Sequence, residues 1–191
     1  MVDILDKKKN IRKQILSIRN NLESNTLEEL SSIAREKISS MEEFKRAKTV
    51  MSYMDFRGEV PTGQLNDYII STGKRLVLPL TDKDFNIIPY EIASDPDWKS
   101  KSLIKSSFGI LEPNPDRCII IDPTIIDFVI VPGVAFDLNF NRLGYGKGCY
   151  DCFLPLLRKD AFKLGLAHEL QVVQEIPMDS TDIRLDSICV I

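Results

Sequence analysis

The amino-acid sequence predicts an α/β fold, a three-layer α/β/α sandwich built around a mostly parallel central sheet. Apolar stretches of strand length alternate along the chain with stretches of helical period, which is the order that a layered α/β sheet requires. No internal repeat interrupts this alternation. The 191 residues are enough to bury a substantial core, so we predict a single domain over residues 1–191.

The composition is that of an ordinary soluble protein. Hydrophobic residues make up 43% of the chain and charged residues 28%, and the formal net charge is -3. A general nucleic-acid binder would carry a strong basic excess, so we expect no nucleic-acid partner. No run approaches the ~18 apolar residues of a membrane span, and the N-terminus is charged rather than signal-like. We therefore expect a cytoplasmic protein with no membrane partner.

Residues 5–22 are predicted to form a basic amphipathic helix, because apolar residues such as Ile11 and Ile15 recur at three- and four-residue spacing. Lys8 and Arg12 lie four residues apart and therefore share a second face of this helix. A row of charges on a helix is most often solvated, and periodicity alone favours that interpretation here.

The later elements follow from similar patterns. A second helix is predicted up to about residue 40, with Thr26 and Glu29 forming a capping box at its start. Strands are predicted at residues 49–54, 75–80, 86–92, 127–132, 161–168 and 185–190, and further helices at residues 61–70 and 150–157. Residues 55–59 follow the carboxyl end of the first strand, where open α/β sheets bind ligands. Residues 95–117 are rich in Pro, Ser and Lys and are predicted to be a long irregular excursion.

The sequence NRLGYGKGCYD at residues 141–151, here called the glycine loop, is the most informative stretch of the chain. Three glycines alternate in it with bulkier residues: Gly144, Gly146 and Gly148. Glycines allow backbone N–H groups to converge on an anion, and the predicted helix after them adds further donors. The spacing matches neither the dinucleotide fingerprint nor the P-loop, and three glycines alone are equally typical of a plain turn. The cations Arg142 and Lys147 and the following Asp151 favour a phosphate and metal site.

Three other patterns suggest metal or redox chemistry, and each is disfavoured. Cys149 and Cys152 are spaced as a redox pair, but they follow a glycine loop deep in the chain, and with the single histidine, His168, they fall short of a zinc site. The run from Asp137 resembles the start of a calcium loop, but Arg142 occupies the position of its glycine. His168 is predicted to be a hydrogen-bonded residue at a strand end.

Because a helix start lowers thiol pKa, Cys149 is expected to have some thiolate character and to react with iodoacetamide.

Four stretches together carry a resemblance that covers nearly the whole chain. They are KKNIR at residues 8–12, GEVPT at 58–62, GILEP at 109–113, and VPGVAFD at 131–137 running into NRLGYGKG at 141–148. The last block is the most specific. In these stretches the chain resembles the 5-formyltetrahydrofolate cyclo-ligase (methenyltetrahydrofolate synthetase) family, which implies a fold similar to the NagB/RpiA/CoA-transferase-like fold. One departure is visible: the family usually has an aromatic pair before Asp151, and here Cys149 replaces its first member while Tyr150 remains.

The resemblance also implies a reaction. ATP phosphorylates the formyl oxygen of 5-formyltetrahydrofolate, the neighbouring N10 amine attacks the activated carbon, and phosphate leaves to give 5,10-methenyltetrahydrofolate. A formyl oxygen is a poor leaving group until it becomes a phosphate ester, and phosphoryl transfer depends mainly on positioning and charge neutralisation. The implied partners are therefore small molecules, ATP as co-substrate and 5-formyltetrahydrofolate with or without a polyglutamate tail, with Mg²⁺ as cofactor. We expect a monomer.

The same resemblance assigns roles by position. Nucleotide binding is assigned to Lys8, Arg12, Arg142, Leu143, Gly144, Tyr145, Gly146, Lys147, Gly148, Cys149 and Tyr150. Catalysis is assigned to Lys147 and Arg142, and folate binding to Met54, Glu59, Phe108, Tyr145 and Tyr150. Magnesium is assigned to Asp151 and Asp182. The structural alternatives are a helix cap or surface charge for each acid, and ordinary core packing for the two apolar residues.

Two rival functions are compatible with an α/β layout, since fold does not settle function. A CoA-transferase or sugar-phosphate isomerase would use Glu59 as its nucleophile or base. A non-catalytic nucleotide-binding regulator would keep the glycine loop without folate turnover. The presence of Glu59, Lys147, Asp151 and Asp182 together speaks against the regulator.

Overall fold

The structure, a computed structural model, describes residues 3–21, 24–106 and 109–191. The α-helices are α1 (Ile4–Arg19), α2 (Ser24–Ser40), α3 (Glu42–Arg46), α4 (Gly63–Ser71), α5 (Trp98–Ser102) and α6 (Cys149–Phe153). The strands are β1 (Thr49–Met51), β2 (Arg75–Thr81), β3 (Ile87–Ile92), β4 (Leu103–Lys105), β5 (Leu111–Pro113), β6 (Ile119–Ile120), β7 (Phe128–Val131), β8 (Ala135–Asp137), β9 (Arg142–Leu143), β10 (Phe162–Ala167), β11 (Val172–Val173) and β12 (Ser187–Val190). Short 3-10 helices span Pro123–Ile125, Leu154–Leu156 and Glu169–Gln171.

The central sheet has seven strands in the order β12-β10-β7-β1-β2-β3-β6. The first five run parallel to one another, and the last two add antiparallel pairings at one edge. The predicted α/β class with a mostly parallel central sheet is therefore confirmed. In the described part of the chain, none of the helices combines the length and the apolar character needed to cross a bilayer.

Both faces of the central sheet are buried. Phe128 and Ile130 of β7 face a core cluster shared with α2, α3 and α4, whereas the alternating Val129 and Val131 face a second cluster shared with α6. Successive side chains of a strand point to opposite faces, so a strand covered on both sides needs a continuous apolar run. This requirement explains why the sequence predicted β7 so clearly.

The N-terminal helix α1 packs on a second, three-stranded sheet with the order β11-β8-β9. Ile15 forms an apolar cluster there with Val134, Leu143 and Ile176. Because β9 begins the glycine loop, this packing places α1 directly against that loop. The small sheet and its role in positioning α1 were not predicted from the sequence.

Several predicted boundaries are wrong for identifiable reasons. Helix α2 begins at Ser24, so Thr26 lies inside its first turn and the predicted capping box is wrong. The excursion 95–117 is not irregular: it contains α5 and a β4–β5 hairpin, anchored by buried Trp98, whose Nε1 donates to Asp67 at 2.8 Å. The helix predicted at residues 150–157 is a single α-turn that becomes a 3-10 turn at Pro155, which lacks the N–H that an α-helix needs.

Candidate active site

The candidate site lies at the carboxyl ends of β1 and β7, which are neighbours in the central sheet. The guanidinium of Arg19, the last residue of α1, donates to two carbonyls of the loop at residues 55–59 and to the carbonyl of Gly133 after β7. Arg12, two turns earlier, donates from Nε to the carbonyl of Gly144 in the glycine loop at 2.7 Å. Helix α1, the two strand-end loops and the glycine loop therefore meet at this edge of the sheet, where the sequence predicted a ligand site.

The glycine loop depends on its small residues. Gly146 has a φ of +97°, a backbone conformation that favours glycine. A Cβ added at Gly144 would lie 2.7 Å from Nη1 of Arg142, and one added at Gly146 would lie 3.4 Å from Cζ of Arg12. A larger residue at Gly144 would therefore displace the Arg142 guanidinium, whereas at Gly146 a side chain would be disfavoured by the positive φ and would pack directly against Arg12.

The charged face of α1 is its inward face. Arg12, Ile15 and Arg19 follow Lys8 by four, seven and eleven residues. At about 100° per residue, all four side chains fall within about 60° of one another around the helix, so they share one side of α1. Lys8 is only 4% exposed and Arg19 only 1%. The solvated-face interpretation that periodicity alone favoured is therefore wrong.

Lys8 is held by two carboxylates from the C-terminal part of the chain. Its Nζ donates to Asp179 at 2.8 Å and to Asp182 at 2.5 Å. Burial acts to lower the pKa of Lys8, but the hydrogen bonds and charges of both aspartates outweigh it and raise that pKa. The Lys8 ammonium in turn holds the pKa of Asp179 well below its usual range. Burial lowers the pKa of Arg12, and the charge of Asp182 opposes this effect. Both cations predicted to bind phosphate thus lie in the field of Asp182.

Arg142 points inward and is paired with Asp151. Its Nη2 donates to Oδ2 of Asp151 at 2.9 Å, and its guanidinium lies over the ring of Tyr150, 5.4 Å from the centroid. The other oxygen of Asp151 accepts from the backbone N–H of Ile183 at 3.2 Å. Because Ile183 follows Asp182, the two predicted magnesium ligands belong to the same region. Arg142 holds Asp151 in place and is not a freely available phosphate-binding cation.

The two acids fit a metal that arrives with a nucleotide better than a preformed metal cage. Within the described ranges, no group of three or more His, Cys, Asp or Glu residues is placed to hold a metal ion. Mg²⁺ commonly binds one or two carboxylates together with substrate phosphates and water. Asp182 uses Oδ2 for its hydrogen bonds from Lys8 and from the backbone of Asp179, and its Oδ1 accepts none within the described part. The donor set is therefore compatible with magnesium carried by a nucleotide.

Lys147, the cation inside the glycine loop, is exposed at the rim of the site. Its Nζ lies over the ring of Phe85, 4.3 Å from the centroid. Phe85 belongs to the turn between β2 and β3, so this turn reaches across to the glycine loop. Sequence analysis did not identify Phe85, because nothing in the local sequence indicates that the two turns meet.

Glu59 is a buried carboxylate, 5% exposed, beside the glycine loop. Oε2 accepts from the backbone N–H of Phe56 at 3.1 Å, and Oε1 lies 3.8 Å from Nη2 of Arg19, which also donates to the hydroxyl of Tyr145. Burial raises the pKa of Glu59 to about 7, although the charge of Arg19 works in the opposite direction. Burial and the nearby charge of Glu59 also raise the pKa of Tyr145 to about 12. The glycine loop and the predicted folate carboxylate therefore share one site.

Three buried polar atoms of the charged and aromatic site residues have no hydrogen-bond partner within the described ranges: the hydroxyl of Tyr150, Nε of Arg142 and Nε of Arg19. Burial, followed by the charge of Glu59, raises the pKa of the Tyr150 hydroxyl, which is therefore a proton donor at neutral pH. Buried polar groups are normally satisfied, so unsatisfied groups at a cleft mark a place where a ligand can supply the partners.

Met54 and Phe108 are the two predicted apolar folate contacts. Met54 is half-buried, packs against the core cluster of α2 and α4, and has its Sδ 3.7 Å from Nδ2 of Asn66. A residue of the hydrophobic core would have the same environment, so this environment does not distinguish a folate contact from core packing. Phe108 lies outside the described residues, so its predicted folate contact stays a prediction.

Cys149 is not the activated thiol that we expected. Burial raises its pKa, and the charge of Asp151 adds to that effect. Helix α6 has only five residues, too few for its N-terminus to offset desolvation. The prediction of thiolate character is therefore wrong. Cys152 is exposed, and both cysteines are free.

Two other residues noted in the sequence have structural roles. Asp137 is fully buried, and its carboxylate accepts from the backbone N–H groups of Asn139, Asn141 and Ile176. It organises the turn before the glycine loop. Nδ1 of His168 accepts from the backbone N–H of Leu170 at 3.0 Å, which confirms the prediction of a hydrogen-bonded residue at a strand end.

The fold and the site together define a class of protein: an α/β protein with a cation-lined glycine loop beside a buried carboxylate. A family profile described as the 5-formyltetrahydrofolate cyclo-ligase family matches residues 4–191. A probable 5-formyltetrahydrofolate cyclo-ligase from Schizosaccharomyces pombe is 33% identical to the chain, over 95% of this chain and 94% of that protein.

Solved structures agree. The NMR structure of 5,10-methenyltetrahydrofolate synthetase from Aquifex aeolicus superposes with a TM-score of 0.81 and 34% identity, covering 96% of this chain and 89% of that one. A 5,10-methenyltetrahydrofolate synthetase from Mycoplasma pneumoniae has a TM-score of 0.74 and 25% identity, covering 95% of this chain and 96% of that one. The chain belongs to the 5-formyltetrahydrofolate cyclo-ligase family, a family of ligases.

Proposed function

We propose that this protein converts 5-formyltetrahydrofolate to 5,10-methenyltetrahydrofolate at the expense of ATP, releasing ADP and phosphate. The observation that carries the proposal is that Tyr145, inside the glycine loop, and the buried carboxylate of Glu59 lie against the same guanidinium, that of Arg19, whose Nη2 is 3.2 Å from the Tyr145 hydroxyl and 3.8 Å from Oε1 of Glu59. A cationic loop suited to phosphates and a carboxylate suited to the N–H donors of a heterocycle are thereby adjacent. The reaction needs this adjacency, because the γ-phosphoryl group must reach the formyl oxygen directly.

The nucleotide half of the site is formed by α1 and the glycine loop. Lys8 and Arg12 bind the phosphates from the inward face of α1, and the glycine loop supplies backbone N–H donors. Lys147 neutralises the charge that develops on the transferring phosphoryl group. Arg142 acts through Asp151, which it holds in place. Of these cations Lys147 alone lies on the exposed rim, where it is free to follow the substrate.

The folate half is formed by Glu59, Tyr145 and Tyr150, with Met54 and Phe108 as apolar contacts. The pterin ring carries an amino group and a ring N–H, donors that a carboxylate such as Glu59 accepts well. The unsatisfied hydroxyl of Tyr150 is available to donate to a substrate oxygen.

The chemistry then has two steps after binding. The γ-phosphoryl group of ATP moves to the formyl oxygen, which converts that oxygen into a leaving group. N10 attacks the formyl carbon and loses its proton, and the carbon–oxygen bond to phosphate breaks. The protein positions both substrates and neutralises charge, and such positioning accounts for much of the barrier reduction in phosphoryl transfer.

Asp151 and Asp182 are the residues that would hold Mg²⁺ with the nucleotide. The ion, when bound, would neutralise phosphate oxygens and orient the γ-phosphoryl group. Lys8, which pairs with Asp182, and Arg142, which pairs with Asp151, hold these carboxylates in orientation. A cytoplasmic, monomeric enzyme that accepts substrates with or without a polyglutamate tail completes the proposal.

One assay tests the function. The purified protein is mixed with 5-formyltetrahydrofolate and Mg·ATP, and the methenyl chromophore, ADP and phosphate are measured together. We expect one ADP and one phosphate for each methenyl product, and no product when ATP is omitted. A folded protein that forms no methenyl product would overturn the proposal. ATP binding without turnover would support the regulator instead.

A further inference from the structure

Arg19 has no role in the functions considered so far, yet it is among the most deeply buried charged side chains of the molecule. It is the last residue of α1 and is 1% exposed. Burying a guanidinium is costly unless its donors are paired. Its position must therefore be explained by what it binds.

The donors of Arg19 connect loops from different parts of the chain. Nη1 donates to the carbonyl of Gly133 at 2.9 Å. Nη2 donates to the carbonyls of Phe56 and Arg57 at 3.0 and 2.9 Å and to the hydroxyl of Tyr145 at 3.2 Å. Phe56 and Arg57 lie in the loop that carries Glu59, and Tyr145 lies in the glycine loop. Arg19 thus ties the folate side of the site to the nucleotide side.

Arg19 also faces the carboxylate of Glu59. Nη2 lies 3.8 Å from Oε1, and the two side chains are 0% and 6% exposed. The other titratable groups whose charge acts on Glu59, or on which Glu59 acts, are Asp55, Tyr53, Tyr145 and Tyr150. Arg19 is the cation of this group, and every other member is acidic or neutral. An opposite charge at this distance lowers the pKa of a carboxyl group and counteracts its burial.

We propose that Arg19 is a positioning residue for the folate half of the site, which favours the ionised form of Glu59 and fixes this side chain beside Tyr145. The inference rests on the proposed function, because Glu59 is taken to contact the folate. Arg19 itself touches neither the phosphates nor the folate. Its effect on the reaction passes through Glu59.

The test compares Arg19→Gln, which removes the charge but keeps N–H donors, with Arg19→Lys, which keeps the charge but loses the planar fork. The readout is kcat/KM for 5-formyltetrahydrofolate as a function of pH, which reports ionisation in the free enzyme. In the native protein we expect activity to rise through pH 7 as Glu59 ionises. In Arg19→Gln this rise should move to higher pH by about 1 to 3 pH units, the size expected for loss of an adjacent opposite charge.

In Arg19→Lys the activity should rise near the native pH, while KM for the folate increases. In both variants KM for ATP should stay within about twofold of the native value, because the substitution does not change the groups that bind ATP. A purely structural role would lower stability and overall activity without moving the pH dependence, and that result would overturn the inference.

Arg19→Gln leaves backbone carbonyls without their donor and can fail to fold, so a double-mutant cycle provides an independent test. If Arg19 acts through Glu59, the loss caused by Arg19→Lys should largely disappear in a Glu59→Gln background. An undiminished loss in that background would overturn the inference.

A direct titration separates this inference from the proposed function. The carboxyl carbon of Glu59 can be followed by ¹³C NMR, with its signal identified by its absence in Glu59→Gln. If the native protein forms no methenyl product, the proposed function fails, and the titration still decides whether Arg19 controls Glu59. A Glu59 titration that is the same in native protein and in the Arg19 variant that folds would reject the inference alone.

Discussion

Replacing Lys147 by Ala separates the role of this cation in catalysis from its role in the fold. In the described structure the contact of its ammonium is the Phe85 ring, 4.3 Å from Nζ to the centroid. An exposed cation–π contact contributes about 0.5–1 kcal/mol. For a chain of this size, a loss of that magnitude lowers Tm by only about 1–4 °C.

The expected effect on turnover is much larger. If Lys147 neutralises charge that builds up on the transferring phosphoryl group, its removal should lower kcat by a factor of about 100 or more, which corresponds to about 3 kcal/mol. The assay is formation of the methenyl chromophore at saturating ATP and folate, with Tm measured by circular dichroism in the same buffer.

Two controls isolate the effect. Phe85→Leu removes the same cation–π contact and should reproduce the stability change with less than about a tenfold loss of kcat, because the ammonium remains. Lys159→Ala removes an exposed lysine elsewhere and should change neither quantity. Full activity in a folded Lys147→Ala protein would refute the catalytic assignment.

Three further predictions concern the rest of the site. Removing both Lys8 and Arg12 by substitution with Ala should raise KM for ATP strongly while KM for the folate barely moves, with kcat falling less than in Lys147→Ala; the opposite pattern in steady-state kinetics would place α1 over the folate instead. Iodoacetamide at pH 7 should label exposed Cys152 before Cys149, whose pKa is raised by burial, and Mg·ATP should slow only the labelling of Cys149; peptide mass spectrometry measures both rates, and equal rates would contradict this reading. The rise of the Glu59 pKa from 4.5 to about 7 means that the folded state binds this proton more tightly, so stability should fall by about 3 kcal/mol as pH rises from below 4.5 to above 7. Urea unfolding across this pH range measures the free energy of unfolding of the native protein and of Glu59→Gln. The variant should lack this pH-dependent fall in stability, and an identical pH dependence in both proteins would show that Glu59 is not responsible.

The sequence predicted those parts of the molecule that depend on local pattern. The continuous apolar run of β7 and the glycines of the glycine loop are such patterns, because burial on both faces and positive φ each demand particular residue types at particular positions. The family resemblance then assigned roles to the residues of the loop, and these roles stay predictions. The short strands of the β4–β5 hairpin have three residues each and contain too little periodicity to be recognised.

The sequence could not predict contacts between residues that are far apart in the chain. Lys8 binds Asp179 and Asp182 across more than 170 residues, and Lys147 meets Phe85 through two turns that have no sequence relation. Arg19 was missed because an arginine at a helix end is usually a solvated C-terminal charge. A signal was present: Lys8, Arg12 and Arg19 recur at the spacing of Ile15, so they share a face with a core residue.

If the proposed site assignments hold, that shared face explains how one helix would contact both substrates. Lys8 and Arg19 are eleven residues apart, which is about 16 Å along a helix axis. This separation exceeds the reach of any one side chain, so the two ends of α1 address different parts of the cleft. In the proposed function, Lys8 and Arg12 lie on the nucleotide side, and Arg19 lies on the folate side. Any shift of α1 on its small sheet would then move both sets of contacts together. The packing of Ile15 against Val134, Leu143 and Ile176 fixes α1 on that sheet, and on this proposal the same packing would hold the nucleotide and the folate in register.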